Sequence, residues 1–227
     1  MTTANRTLSH TQARRVYDRI GPLQDSQAWY EDQAVGELIA HGDFAGAGSV
    51  VEIGCGTGRH AARLLGDHLA PDATYVGLDV SPRMVTLATA RLAGFGHRAR
   101  VVLTDGAMRI DAPAGSIDRV ISTYVLDLLS VADIRALLAE AHRVLARDGR
   151  LCVVSAAPGR TLGERLVMGV VGRLHAVHPA LIAGCRPLDL RPLLDRDRWR
   201  VEHADTVSVI GICSQIVVAT PRHGTAP

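Results

Sequence analysis

Short apolar runs alternate along the chain with longer segments whose apolar positions recur every three or four residues. That alternation predicts a parallel sheet with helices on both faces. The expected strands are Ser49–Ile53, Thr74–Asp79, Arg100–Thr104, Ile117–Thr123 and Arg150–Ala156, then Trp199–Asp205 and Ser214–Thr220. Few residues separate the last two, so they are expected to pair antiparallel rather than through a helical crossover. The fold class is α/β: a doubly wound, seven-stranded, mostly parallel sheet with an antiparallel last strand.

Helix signals fall between these strands. Ser81-Pro82 reads as an N-cap followed by proline at the first helical position, with Met84, Leu87, Ala88 and Leu92 on one face. Ser130 and Asp133 have capping-box spacing, and Ile134, Leu137, Leu138, Ala141 and Leu145 continue at helical spacing to a stop at Asp148-Gly149. Residues 1–44 read as a helical cap ahead of the first strand and carry Tyr17, Trp29 and Tyr30. Residues 160–184 form an amphipathic stretch before an expected last helix. Cap and stretch would both overhang the carboxyl ends of the strands, where such sheets bind ligands. The stretch is thus the expected lid within one domain over 45–221, followed by a frayed tail at 222–227.

Composition narrows the setting. The chain has 227 residues, 47% hydrophobic and 21% charged, which suits one domain with a substantial core. Runs such as Leu151–Ala157 are too short for a bilayer span, and residues 1–15 lack the apolar core of a secretory leader. A cytoplasmic chain with no integral membrane segment is expected. A net charge of +2 gives no reason to expect nucleic acid. Cys55, Cys152, Cys185 and Cys213 lie far apart with no C-x-x-C spacing, so neither a structural metal site nor disulfides are expected.

The chemistry concentrates at the ends of the first three strands. Val50-Val51-Glu52-Ile53-Gly54-Cys55-Gly56-Thr57-Gly58-Arg59-His60 runs from a strand into three alternate glycines, which let the backbone turn sharply and approach a ligand. The helix after Gly58 would aim free N–H groups at that ligand. Asp79 ends the second strand at a distance from the glycines that suits ribose hydroxyls. Asp105, with Gly106-Ala107, ends the third, where a carboxylate can accept from an amino group.

This combination resembles the class I S-adenosylmethionine-dependent methyltransferase family, whose fold is Rossmann-like. Besides the glycine segment, Gly77-Leu78-Asp79-Val80-Ser81, Thr104-Asp105-Gly106-Ala107 and Ser116-Ile117-Asp118-Arg119-Val120-Ile121-Ser122 resemble its motifs in order. Leu145-Ala146-Arg147-Asp148-Gly149-Arg150-Leu151 resembles the stretch entering its fifth strand. The likeness covers roughly residues 49–157. It implies S-adenosyl-L-methionine as cofactor, with Glu52 near the methionine amino group and Gly54, Cys55, Gly56 and Gly58 beneath. It further implies Asp79 on the ribose, Asp105 on the adenine amine, and contacts from Val80, Met84, Gly106, Ala107 and Ser122. The flanks Val16–Ile20 and Cys185–Leu190 look most like the branch acting on quinones, phospholipids and related apolar molecules. Ser122-Thr123-Tyr124-Val125-Leu126-Asp127 departs from the quinone enzymes.

The expected reaction is methyl transfer to O, N or C of a small, fairly apolar acceptor such as a lipid, quinone or secondary metabolite. Tyr17, Tyr124 and Asp127 are the candidate catalytic residues. Tyr30, His175 and His178 are the candidate acceptor contacts; the two histidines sit three apart, without the carboxylate or cysteine pattern of a metal site. The apolar content of 162–182 fits an apolar acceptor or a homodimer contact. Three alternatives stand beside this reading. One is an enzyme of the same fold that binds the cofactor but catalyses decarboxylation, hydrolysis or cyclisation. Another is a catalytically silent scaffold subunit. The third is a nicotinamide dinucleotide site, since Gly56–Ala61 satisfies G-x-G-x-x-A; against it, the Glu52 charge would repel phosphate.

Overall fold

The computed structural model describes residues 7–177 and 185–222. Five strands, β1 (Ser49–Ile53), β2 (Thr74–Asp79), β3 (Ala99–Leu103), β4 (Ile117–Thr123) and β5 (Leu145–Ala156), run parallel. Crossovers through α3 (Arg59–Arg63), α4 (Pro82–Leu92) and α5 (Val131–Val144) make three of the four connections, and a segment without helix joins β3 to β4. The last two strands, β6 (Trp199–Val209) and β7 (Ile212–Pro221), form an antiparallel hairpin, and β7 pairs antiparallel with β5. The sheet order is β3-β2-β1-β4-β5-β7-β6. Its direction of winding reverses between β1 and β4, which opens a crevice at their carboxyl ends. This matches the architecture expected from the sequence.

The sheet is buried on both faces. On one, Ala34 and Leu38 of α2 (Ala28–Gly42), Ala61 of α3 and Ala88 and Leu92 of α4 pack on Val50, Tyr75, Ile121 and Val218. On the other, Ile134, Leu137, Leu138 and Ala141 of α5 pack on Val51, Val120, Leu151 and Val217. Alternate strand residues therefore feed opposite cores. Both expected N-caps form: Ser81 Oγ accepts from the Met84 N–H and Ser130 Oγ from the Asp133 N–H, each at 3.1 Å.

Boundaries differ in two places. The helix expected to reach Asp148 stops at Val144, and Leu145 already pairs with Ile117 as strand. Leu145 is fully buried, so its apolar character serves the strand as well as it would have served a helix. The last helix expected after Leu190 is only a short 3-10 turn, Arg191–Leu193. Asp189 and Asp195 each accept a main-chain N–H two residues on, at 3.2 and 2.9 Å, and so favour turns over helix.

Ahead of the sheet, α1 (His10–Ile20) opens on a reciprocal capping box between Ser9 and Gln12. After β5, α6 (Leu162–Val177) packs beside the β6–β7 hairpin through Met168, which receives the Cys213 N–H at 3.4 Å.

Candidate functional site

At the end of β1 the chain turns through Gly54 at φ 73° and Gly58 at φ 75°. A Cβ on Gly54 would stand 2.3 Å from Val125 Cγ2, and one on Gly58 would stand 3.1 Å from the Ala88 Cα. The first glycine lets β1 pass beneath the loop after β4; the second lets α4 close against the turn. Asp79, at the end of β2, is 8% exposed. Its Oδ2 accepts the Gly56 N–H at 2.9 Å and its Oδ1 the Ser81 N–H at 2.8 Å. Burial pushes its carboxyl up to about 6 against those donors.

These groups wall a cleft of about 970 Å³, its open mouth included. Ile53, Gly54 and Gly56 form the floor, and Leu78, Asp79 and Val80 one side. Thr104, Gly106, Ala107, Met108 and Ile110 form the other side, and Thr123, Tyr124 and Val125 the back. The roof is α1, which supplies His10, Ala13 and Tyr17. Gln24 reaches in from the turn that follows it. The cleft thus brings together Tyr17, Gly54, Gly56, Asp79, Val80, Gly106, Ala107 and Tyr124 of the residues expected from the sequence.

The others lie elsewhere. Glu52, expected at the strand mouth, is 1% exposed and shares a face with Val50 beneath the loop. Its Oε2 accepts from the Tyr75 hydroxyl at 2.6 Å and its Oε1 from that of Thr123 at 3.5 Å. Burial pushes its carboxyl up to about 7. Strand alternation explains the difference: Glu52 points into the core beside Val50, not out of the strand end. Cys55 is buried against Gly77, Gly58 against α4, and Met84 is wholly within the core. Ser122 is buried, with its Oγ donating to the Ile53 carbonyl at 3.4 Å. Asp105 is exposed and accepts the Ala107 N–H at 2.9 Å, a local turn contact.

The acceptor candidates form a second group. Tyr124, at φ 55°, shares a hydrogen bond of 2.8 Å with Ser214 and meets Tyr30 edge-on at 5.9 Å between ring centroids. Asp127 is fully buried, with the Cys185 and Ser155 side chains and the Arg186 charge against its carboxylate. Burial pushes its carboxyl up to about 6, while Cys185 and Arg186 hold it down. Burial also drives the phenols of Tyr17, Tyr30 and Tyr124 above their ordinary value, with the Asp127 charge adding to each. His175 is buried on α6, away from the cleft wall, and His178 lies outside the described residues. None of the residues lining the cleft comes from α6; its described cover is α1, and residues 178–184 of the expected lid lie outside the described residues.

Sequence reasoning missed the contacts that hold that cover. Ser81 Oγ donates to Asp18 at 2.6 Å, and Thr57 Oγ1 donates to Asp25 at 2.6 Å. The Arg91 guanidinium bridges the same pair at 2.7 Å to each. The cap is thereby tied to the turns after β1 and β2. A second missed network runs along the back of the glycine turn. Arg59 donates to His60 Nε2 at 2.9 Å, and His60 Nδ1 faces Thr123 Oγ1 at 3.3 Å. Burial and the adjacent Arg59 charge hold this imidazole neutral, down to about 4. Only the Ser9–Gln12 spacing could have marked α1; pairs more than twenty residues apart leave no local signal.

Sheet order and the position of the cleft at the β1/β4 reversal define a class I methyltransferase fold. The [4+2]-cyclase SpnF has this fold, with a TM-score of 0.70 at 19% identity over 94% of this chain and 97% of that one. Residues 50–149 match the family described as methyltransferase domain. A demethylmenaquinone methyltransferase of Symbiobacterium thermophilum is 27% identical over 144 residues, 63% of this chain and 55% of its own length. A malonyl-[acyl-carrier protein] O-methyltransferase of Laribacter hongkongensis is 32% identical over 179 residues, 74% of this chain and 56% of its own. Over that domain the chain is similar to class I S-adenosylmethionine-dependent methyltransferases. It spans about half the length of these curated relatives. The methyltransferase-domain match over residues 50–149 counts against the dinucleotide reading; buried Glu52 does not, since its charge does not face the cleft. Among the described residues, no helix is long and apolar enough to cross a membrane.

Proposed function

We propose that the chain transfers the methyl group of S-adenosylmethionine to O, N or C of a small, fairly apolar acceptor. The observation that carries the reading is the cleft itself: a glycine floor, one carboxylate at the end of β2, and apolar walls in Leu78, Met108 and Ile110. These residues fit the cofactor. Each Asp79 oxygen accepts one main-chain N–H and keeps a lone pair for a ribose hydroxyl. The apolar walls and the Gly106-Ala107 edge would take the base.

The bound sulfonium would supply an electrophilic methyl group. The chain's own part is then positioning and exclusion of water. Tyr17 and Tyr124 keep their protons, because burial disfavours the phenolate, so they orient an acceptor through O–H groups rather than take its proton. Asp127, behind the wall, sets the charge of the acceptor side without touching it. Relatives named for demethylmenaquinone and malonyl-[acyl-carrier protein] support acceptors of quinone or acyl type. All four cysteines are unpaired, which suits a cytoplasmic setting. In a homodimer, the exposed Leu162, Leu166 and Val170 of α6 would be the face to bury.

Calorimetric titration with S-adenosylmethionine and S-adenosylhomocysteine tests the cofactor. Micromolar binding is expected, weakened by about 2 kcal/mol or more in Asp79→Ala, the order of charged hydrogen bonds lost. No binding by folded protein overturns the reading. Binding and acceptor turnover without release of S-adenosylhomocysteine would instead mark a non-methylating enzyme of this fold.

A further inference from the structure

Far from the cleft, β6 carries a bulge between Val201 and His203. Before it, Val201 pairs with Ala219, which faces the α5 side of the sheet; after it, His203 pairs with Val218, which faces the α2 side. Regular alternation would have kept His203 on the same face as Val201. The extra residue turns it over, onto the surface that α2 covers.

On α2, Glu37 and His41 stand one turn apart and present to that same point. Glu37 Oε1 lies 3.4 Å from His41 Nδ1 and 3.5 Å from His203 Nε2. The two imidazole rings stack at 3.6 Å between centroids with 10° between planes, and each would turn out of that stack to aim an in-plane lone pair at one ion. One donor atom from each of the three residues lies within 4.8 Å of the others. His203 Nε2 is buried and meets no hydrogen-bond partner among the described residues, a cost that a ligand would remove. His41 Nδ1 also lies 3.0 Å from the main-chain carbonyl of Glu37. In the metal-bound form Nδ1, the ring nitrogen that faces Glu37 Oε1, would give up that carbonyl contact and ligate, with the proton on Nε2.

We propose that Glu37, His41 and His203 bind one borderline divalent transition-metal ion, zinc being the best match. Two imidazoles and a carboxylate are the donor set of a three-ligand zinc site with water in the fourth position; magnesium and calcium call for more oxygen donors. Such an ion would fasten α2 to β6. The start of α2 carries Tyr30 and Glu31, so the same ion would steady the cap on the acceptor side of the cleft. The site is independent of the proposed methyl transfer and contains none of its residues.

Untagged full-length protein, stripped with chelator, is titrated with zinc chloride and followed by calorimetry and thermal unfolding. The expected result is one ion per chain and a rise in Tm of about 5–10 °C at one hundred times Kd. His203→Ala and Glu37→Gln should each lose most of that rise, and magnesium should give none. No zinc-dependent shift, or an equal shift in His203→Ala, overturns the proposal. Cobalt(II) gives a check on the unmutated chain: a strong visible band of a tetrahedral ion supports the site, and its absence overturns it.

Discussion

The two halves of the cleft are built on opposite principles. On the β1–β2 side, positions are set by the main chain: Gly54 and Gly58 turn it, and Asp79 is held by two N–H groups. On the β4–β5 side, side chains from distant segments meet: Tyr17 of α1, Tyr30 and Glu31 of α2, and Tyr124 and Asp127 after β4. There the acids are buried with incomplete compensation. Glu31, though paired with Arg59 at 3.1 Å, is pushed up to about 7 by burial, and Asp127 to about 6. On the proposed reading, the first half would be a rigid cradle for the cofactor. The second stores unfavourable desolvation where an acceptor would enter, as functional sites often do.

The largest expected effect tests the cradle. Gly54→Ala would place its Cβ 2.3 Å from Val125 Cγ2 on a backbone at φ 73°. Strain of about 1–3 kcal/mol should displace the turn and lower S-adenosylmethionine affinity by about 5- to 150-fold, read calorimetrically. Unchanged affinity would mean that the main chain at this turn does not shape the cofactor site.

Next in size is Asp127→Asn, which tests the other half. Glu31, Glu52, Asp79 and Asp127 all have carboxyls raised above their ordinary values, chiefly by burial. The folded chain therefore holds more protons than the unfolded chain between about pH 4 and 7. The stability these groups contribute is fully present below their unfolded values and is lost as pH rises through 6 to 7. His60, kept neutral by burial, opposes this only below about pH 6.5. Denaturant unfolding across pH 5.5–8 should show stability falling with pH. Asp127→Asn should flatten that slope and gain on the order of 1–3 kcal/mol at pH 7.5. A variant less stable than its parent at pH 7.5 would show that the carboxylate is well compensated, and the contrast between the halves would fail.

The same contrast explains what was legible. The strands, the antiparallel final pair, the N-caps at Ser81 and Ser130, and the cleft positions of Gly54, Gly56 and Asp79 rest on local patterns, and all appear in the structure. Glu52 and Asp105, expected at the cofactor, do not line the cleft, because a spacing says that a residue stands near a strand end, not which way its side chain points. Glu52 falls on the buried phase of the strand, and Asp105 one residue into a turn that it closes itself. Both the cap over 1–44 and the stretch 160–184 were expected above the strand ends, because amphipathic helices look alike in sequence wherever they dock; among the described residues it is α1 that covers the cleft. The contacts that select α1, Asp18 with Ser81 and Asp25 with Thr57, join residues 63 and 32 positions apart.

The smallest effect sharpens the comparison most, because it removes one atom at the boundary of the halves. Tyr124 lines the cleft with its ring and ties to Ser214 on β7 through its hydroxyl, at 2.8 Å. Tyr124→Phe keeps the ring and loses only the tie, so stability should fall by about 1 kcal/mol. Cofactor affinity should stay within about twofold, since nothing in the cradle is touched. If the phenol orients the acceptor, turnover falls while cofactor affinity holds, and the halves are separable. An equal fall in both would mean that Tyr124, strained at φ 55°, transmits the acceptor side to the glycine turn through Val125, and that the cleft works as one unit.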